Sequence, residues 1–171
     1  MARQTILIDA DDTLWENNIF FEQTINRFLS CLIHLGYTPE YSRHILNETE
    51  RRNVLQHGYG VRCFRRSLED TYLKLAGGMA RKEVVQEIEK MATELERTPP
   101  QILEGVPETL AYLSDRHRLI LLTKGEPAEQ AAKVERSGLA RYFESVEIVT
   151  EKDDSTYERV IHQFKIVKSD R

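Results

Sequence analysis

The apolar residues of this chain change period twice. TILI (5–8), RLILLT (118–123) and SVEIVT (145–150) are short apolar runs. They predict strands of a parallel sheet, the first of them buried on both faces. VPETLAYLSDR precedes the second run and PAEQAAKVERSG the third, both with helical spacing, and Gly138 stands where the latter helix would end. Strand, helix, strand, helix, strand at this spacing implies right-handed crossovers and a parallel α/β sheet.

Between residues 17 and 100 the period is helical throughout. Phe21, Ile25, Phe28, Leu32 and Leu35 form one stripe; Phe64, Leu68, Tyr72 and Leu75 a second; Val84, Ile88, Met91 and Leu95 a third. A weaker helix containing Ile45 and Leu46 is expected between Pro39 and His57. GYTP (36–39), HGYG (57–60), AGG (76–78) and TPP (98–100) separate the segments. The expected organisation is a Rossmann-like α/β core over 1–16 and 101–171, with an all-α helical bundle over 17–100 inserted after the first strand. No internal repeat or low-complexity segment is visible.

With 171 residues, 40% of them apolar and 30% charged, the chain can bury a core as one domain with an insertion or as two small domains. A net charge of −4 gives no general attraction to nucleic acid or to an anionic membrane, so neither is expected as a partner. Cys31 and Cys63 lie far apart with no CxxC spacing, which points to free thiols rather than a disulfide framework or a zinc site. The run around Leu7 is too short for a signal peptide, and no later segment approaches a membrane span. A soluble, cytoplasmic protein is expected.

Charge patterning adds the chemistry. ILIDADDTLW (6–15) places Asp9, Asp11 and Asp12 at the end of an apolar strand. Carboxylates that close repel and raise one another's pKa, so they need a cation or a shared proton. Ligands of parallel α/β sheets collect outside the carboxyl ends of the strands. Asp9 ends the first strand, Thr123 the second, and the third leads into Glu151 and Lys152. A carboxylate nucleophile, a hydroxyl and an ammonium group together suit a phosphoryl group.

DADDTL (9–14), LLTKG (121–125) and Lys152 resemble the first three motifs of the haloacid dehalogenase (HAD) superfamily of hydrolases, and ILEGVPETLAYLSDRHRLILLTKG resembles the approach to its second motif. The resemblance runs from residue 3 to the end, with the helical insertion similar to the cap many members carry. It implies that Asp9 is the nucleophile and binds Mg²⁺. Asp11 would be the general acid/base, with its backbone carbonyl on the metal. Thr123 would hold the phosphoryl oxygens and Lys152 neutralise the nucleophile. Lys124 and Lys133 compete for the role of Lys152, and Lys124 is also a candidate substrate contact. Superfamily dehalogenases lack an acidic residue two positions after the nucleophile, because a leaving halide needs no proton. Asp11 therefore points to a phosphatase acting on a small phosphorylated metabolite through an aspartyl-phosphate.

The family's fourth motif, acidic residues after a fourth strand, has no counterpart before FKIVKSDR (164–171), where that strand would begin. The expectation is a core truncated after the third strand and its helix, with the first strand left as an apolar edge open to self-association. Asp153 and Asp154 are expected to cap the next helix rather than replace the missing ligand. In HGYGVRCFRR (57–66), Tyr59 and Arg62 are candidates to contact the leaving group, against the plainer reading of a solvated basic face. Asp12 reads as a turn residue, Trp15 as packing near the insertion point, and the five histidines as structural. Two other functions remain: an inactive relative acting through binding or oligomerisation, and a 2-haloacid dehalogenase. A receiver-type phosphoacceptor would need an acceptor Asp ending a strand near residues 50–60, where HILNETERRNVLQHGYG reads as helix and loop.

Overall fold

The computed structural model describes residues 3–166. In chain order it contains β1 (Thr5–Ile8) and β2 (Trp15–Glu16); helices α1 (Asn18–His34), α2 (Pro39–His57), α3 (Val61–Ala76) and α4 (Lys82–Arg97); then β3 (Gln101–Ile102), α5 (Val106–Ser114), β4 (Arg118–Lys124), α6 (Pro127–Ser137), β5 (Ser145–Val149) and α7 (Asp154–Gln163). The chain divides into two compact units, Met1–Glu16 with Pro100–Arg171, and Asn17–Pro99.

The first unit is a parallel α/β sheet in the order β1-β4-β5. Thr5 to Ile8 pair with Arg118 to Leu121, and Ile120 to Lys124 pair with Ser145 to Val149. The central strand β4 buries Leu119 to Thr123 in succession, because helices cover both of its faces. Its alternating side chains sort between two clusters. Leu119 and Leu121 pack with Ala10, Leu14, Trp15, Leu110 and Val134 on one side; Leu122 packs with Val149 and Val160 on the other. Arg118 anchors the lower end, with its guanidinium on both Glu144 oxygens at 2.8 and 2.6 Å and on the Phe164 carbonyl at 3.0 Å. Among the described residues no strand pairs the outer side of β1. The stretch where a fourth strand would begin, 164–171, lies mostly outside them.

A second, two-stranded sheet has no counterpart in the sequence reading. Trp15 and Glu16 pair antiparallel with Ile102 and Gln101, and the Leu103 amide donates to the Leu14 carbonyl at 3.0 Å. The chain thus leaves and re-enters the α/β unit through adjacent backbones.

The helical unit is a four-helix bundle in which α1 packs on α2 and α4, and α3 on α2 and α4. Its core joins Ile25, Phe28 and Leu32 to Phe64, Leu68, Tyr72, Ile88 and Met91, with Phe21 edge-on to Phe64 at 5.0 Å between centroids. Helix α2 is the polar member. Its buried positions include Ser42, Thr49 and Asn53, and the Asn53 amide donates to the Ser67 hydroxyl and to Asp70. Arg43 on α2 forks onto Glu22 of α1 at 2.9 and 3.0 Å, which holds the Glu22 carboxyl below its ordinary pKa.

Glu50 lies on the same helix, half-buried, and burial raises its pKa; Arg43 opposes that shift and Glu22 adds to it. A carboxyl raised in the folded state contributes stability below its ordinary pKa and loses it as pH rises through the raised value. Glu50→Gln is therefore expected to raise Tm near neutral pH and to leave it unchanged below about pH 4, where both side chains are neutral, as thermal unfolding at the two pH values will show. In the α/β unit, Leu121→Ala is expected to cost about 2–5 kcal/mol in denaturant unfolding, because Leu121 is fully enclosed at the centre of β4.

Candidate active site

The site is built at the carboxyl ends of β1, β4 and β5. Beyond Ile8 the chain turns tightly, with the Thr13 and Leu14 amides both donating to the Ala10 carbonyl and the Asp12 amide donating to the Trp15 carbonyl. Asp12 takes a left-handed conformation at φ 57°, which Asp tolerates better than most residues. Asp12 is thus a turn residue of the loop. Ala10 is buried in the core and leaves Asp9 and Asp11 on either side of it directed into the site.

Asp9 is exposed. Its Oδ1 accepts from the Ala10 amide at 2.7 Å and faces Lys152 Nζ at 2.5 Å. Lys152 follows β5, and the next residue, Asp153, caps α7 by accepting from the Thr156 amide at 2.8 Å. That bond, the first of several from Thr156 and Ser155, holds the Asp153 carboxyl below the usual range. Asp153 is occupied as a cap, and the turn it fixes sets where Lys152 leaves the strand.

Asp11 is three-quarters enclosed, with donors on both oxygens. The Trp15 indole donates to Oδ1 at 2.8 Å and the Gln130 amide to Oδ2 at 2.7 Å; Lys133 Nζ lies 3.2 and 3.3 Å from the two oxygens. Gln130 and Lys133 project from one face of α6, a turn apart. Helix α6 starts at this place because Glu126 caps it, accepting from the Glu129 amide at 2.7 Å, and Pro127 supplies the first turn. Glu129 also reaches Lys133 at 3.7 Å.

Thr123 is buried, and its hydroxyl points at Gln130 Oε1 at 3.5 Å, the long limit of a hydrogen bond. Lys124 pairs with Glu151 at 3.4 Å. The α/β unit therefore brings together Asp9, Asp11, Thr123, Lys124 and Lys152 from the sequence-named set, with Lys133 on Asp11 and Lys152 on Asp9. Tyr59 and Arg62 belong to the helical unit, where both are exposed at the junction of α2 and α3.

Gln130 escaped the sequence reading altogether, as did the contact of Trp15 with Asp11. A signal existed for Gln130: it shares the buried face of α6 with Val134, where an amphipathic helix otherwise places apolar side chains.

The exposed Asp9 carboxylate offers oxygen donors suited to a hard cation. The side-chain oxygens of Asp11 are already taken by the three donors. Among the described residues there is no cluster of three or more metal-ligating side chains. Mg²⁺ is commonly held by one or two carboxylates with several waters, and the donor set fits that mode.

A parallel sheet whose strand ends gather two aspartates, a threonine and a lysine in this order defines a hydrolase class. A family model for haloacid dehalogenase-like hydrolases matches residues 4–169, and the chain belongs to that family. A haloacid dehalogenase-like family hydrolase from Xanthomonas campestris is 32% identical and superposes with a TM-score of 0.88, covering 96% of this chain and 69% of that one. A 2-haloacid dehalogenase from Pseudomonas syringae is 22% identical with a TM-score of 0.60, over 98% of this chain and 75% of that one. The HAD-hydrolase YfnB from Bacillus subtilis, bound to magnesium, is 16% identical with a TM-score of 0.63, over 98% and 75%. These last two share the fold. No curated protein matches the chain.

Gly125 follows β4 at φ 157°, and a Cβ built there would lie 2.8 Å from Gln130 Nε2 and 2.9 Å from its Cγ. Gly125→Ala is expected to destabilise the α/β unit by about 1–3 kcal/mol in denaturant unfolding, from backbone strain and the displaced amide together.

Proposed function

We propose that the chain is a phosphatase that hydrolyses a small phosphate monoester through an aspartyl-phosphate on Asp9. The observation that supports this reading best is the second carboxylate, Asp11, held in place two residues from the nucleophile. A leaving alkoxide needs a proton and a leaving halide does not, so a positioned acid beside the nucleophile serves ester cleavage.

In this reading an Asp9 oxygen attacks phosphorus and the ester P–O bond breaks. Asp11, protonated at that moment, gives its proton to the departing oxygen, and the alcohol leaves. The Asp11 carboxylate then takes a proton from water as that water attacks phosphorus; the P–O bond to Asp9 breaks, and phosphate and the free carboxylate are restored. Lys152 offsets the charge of Asp9 and of the transferring group. Thr123 supplies a hydroxyl for the phosphoryl oxygens at the end of β4. Mg²⁺ would be held by the Asp9 carboxylate and the Asp11 backbone carbonyl. When bound it supplies positive charge against the nucleophile and the phosphoryl oxygens, which otherwise repel.

The dehalogenases among the structural neighbours are too distant in sequence to carry their chemistry to this chain. Phosphate release from an aryl phosphate by the 171-residue chain is expected with Mg²⁺ and not with EDTA, and Asp9→Asn is expected to abolish it. Asp11→Asn should lower kcat by about 10²–10⁴-fold on alkyl phosphates. Chloride release from a 2-chloroacid that survives Asp11→Asn would sink the phosphatase reading.

A further inference from the structure

We infer that Gln130 is the positioning residue of this site, holding the Asp11 carboxylate in a fixed orientation for proton transfer. The proton-transfer part of the inference rests on the phosphatase reading.

Gln130 is 3% exposed, and a buried primary amide is costly unless its donors and acceptor are used. Its short bond goes to Asp11 Oδ2 at 2.7 Å; the Lys124 carbonyl and the Thr123 hydroxyl lie at the long distances of 3.4 and 3.5 Å. One amide therefore spans the loop after β1 and the end of β4. The backbone makes room for it, since Gly125 lacks a side chain where Gln130 passes.

The three donors on Asp11 differ in kind. Lys133 is a compact point charge nearly equidistant from both oxygens, so it attracts the carboxylate without fixing its rotation. The Trp15 indole, rigid and buried, holds Oδ1, and Gln130 holds Oδ2. With a directional donor on each oxygen the carboxylate plane cannot turn. Without Gln130, Oδ2 keeps only the ammonium and the plane is free to swing about the indole contact. The loss then falls on the step that needs an aimed proton.

Trp15 is the one tryptophan of the chain, so its indole N–H gives a single NMR resonance that reads the Asp11 carboxylate directly. The test uses the full chain as wild type, Gln130→Met, Gln130→Glu, Asp11→Asn and the Gln130→Met/Asp11→Asn double variant. Gln130→Met is expected to lower kcat on an alkyl phosphate by about 10–100-fold and on dinitrophenyl phosphate, whose phenolate leaves without a proton, by less than about threefold. In the Asp11→Asn background it should cost nothing further, because the two side chains act as a unit. The indole resonance should move in Gln130→Met relative to wild type. Gln130→Glu, close in shape, replaces the donor with an acceptor and should give the same signature if Gln130→Met fails to fold. Equal losses on the two esters, additive losses in the double variant, or an unmoved indole resonance would each overturn the inference. If wild type turns over neither ester, the phosphatase reading fails by itself. The indole resonance then decides whether Gln130 holds Asp11.

Discussion

Two carboxylates placed two residues apart at the end of an apolar strand cannot stand alone, and most of the α/β unit can be understood as the means of offsetting them. Repulsion between the Asp9 and Asp11 carboxylates, left without nearby positive charge, would destabilise the fold. The protein answers with one lysine for each, from separate segments: Lys152 beyond β5 on Asp9, and Lys133 on α6 at Asp11. Neither lysine is near its partner in sequence. The charge balance exists only when β4 and β5 are paired in register and α6 is docked, so ion pairing at the site and folding of the sheet are one event.

Two helix starts beside the site each carry a side-chain cap. Glu126 caps α6 through the Glu129 amide and Asp153 caps α7 through the Thr156 amide, each placing negative charge where the helix dipole favours it. These caps also fix the first turns from which Gln130 and Lys133 project, and the bend from which Lys152 emerges.

The main strands and helices were legible in the sequence because burial imposes a period. Leu119 to Thr123 read as a strand since both faces of β4 are covered, and the stripes through Phe28, Leu68 and Ile88 read as helices since each faces one core. Helix α2 was visible mainly through its bounds, Pro39 and the glycine after His57. Its buried face carries Ser42, Thr49 and Asn53, polar residues that look like surface positions; of these, Asn53 reaches Ser67 and Asp70 on α3. The pairing of β2 with β3 left no trace, as two residues per strand are too few to show a period. Within the site, charge and spacing pointed to Asp9, Asp11 and Lys152. Gln130 was silent because an amide carries no charge pattern, and what it does depends on a tertiary contact with a loop 119 positions away.

The antiparallel pairing of Trp15 and Glu16 with Ile102 and Gln101 has a consequence for modularity. Because the two crossings lie side by side, the intervening chain is a loop whose ends are already closed, and the entropy of closing it depends only weakly on its length. Segments of very different size could be exchanged at this point without altering the register of the sheet. A tight turn joining Glu16 to Gln101 would leave the α/β unit with the same topology, and helical insertions can lengthen, shrink or diverge there under separate selection. This two-residue pairing is the point at which the inserted segment can change while the α/β unit keeps its register.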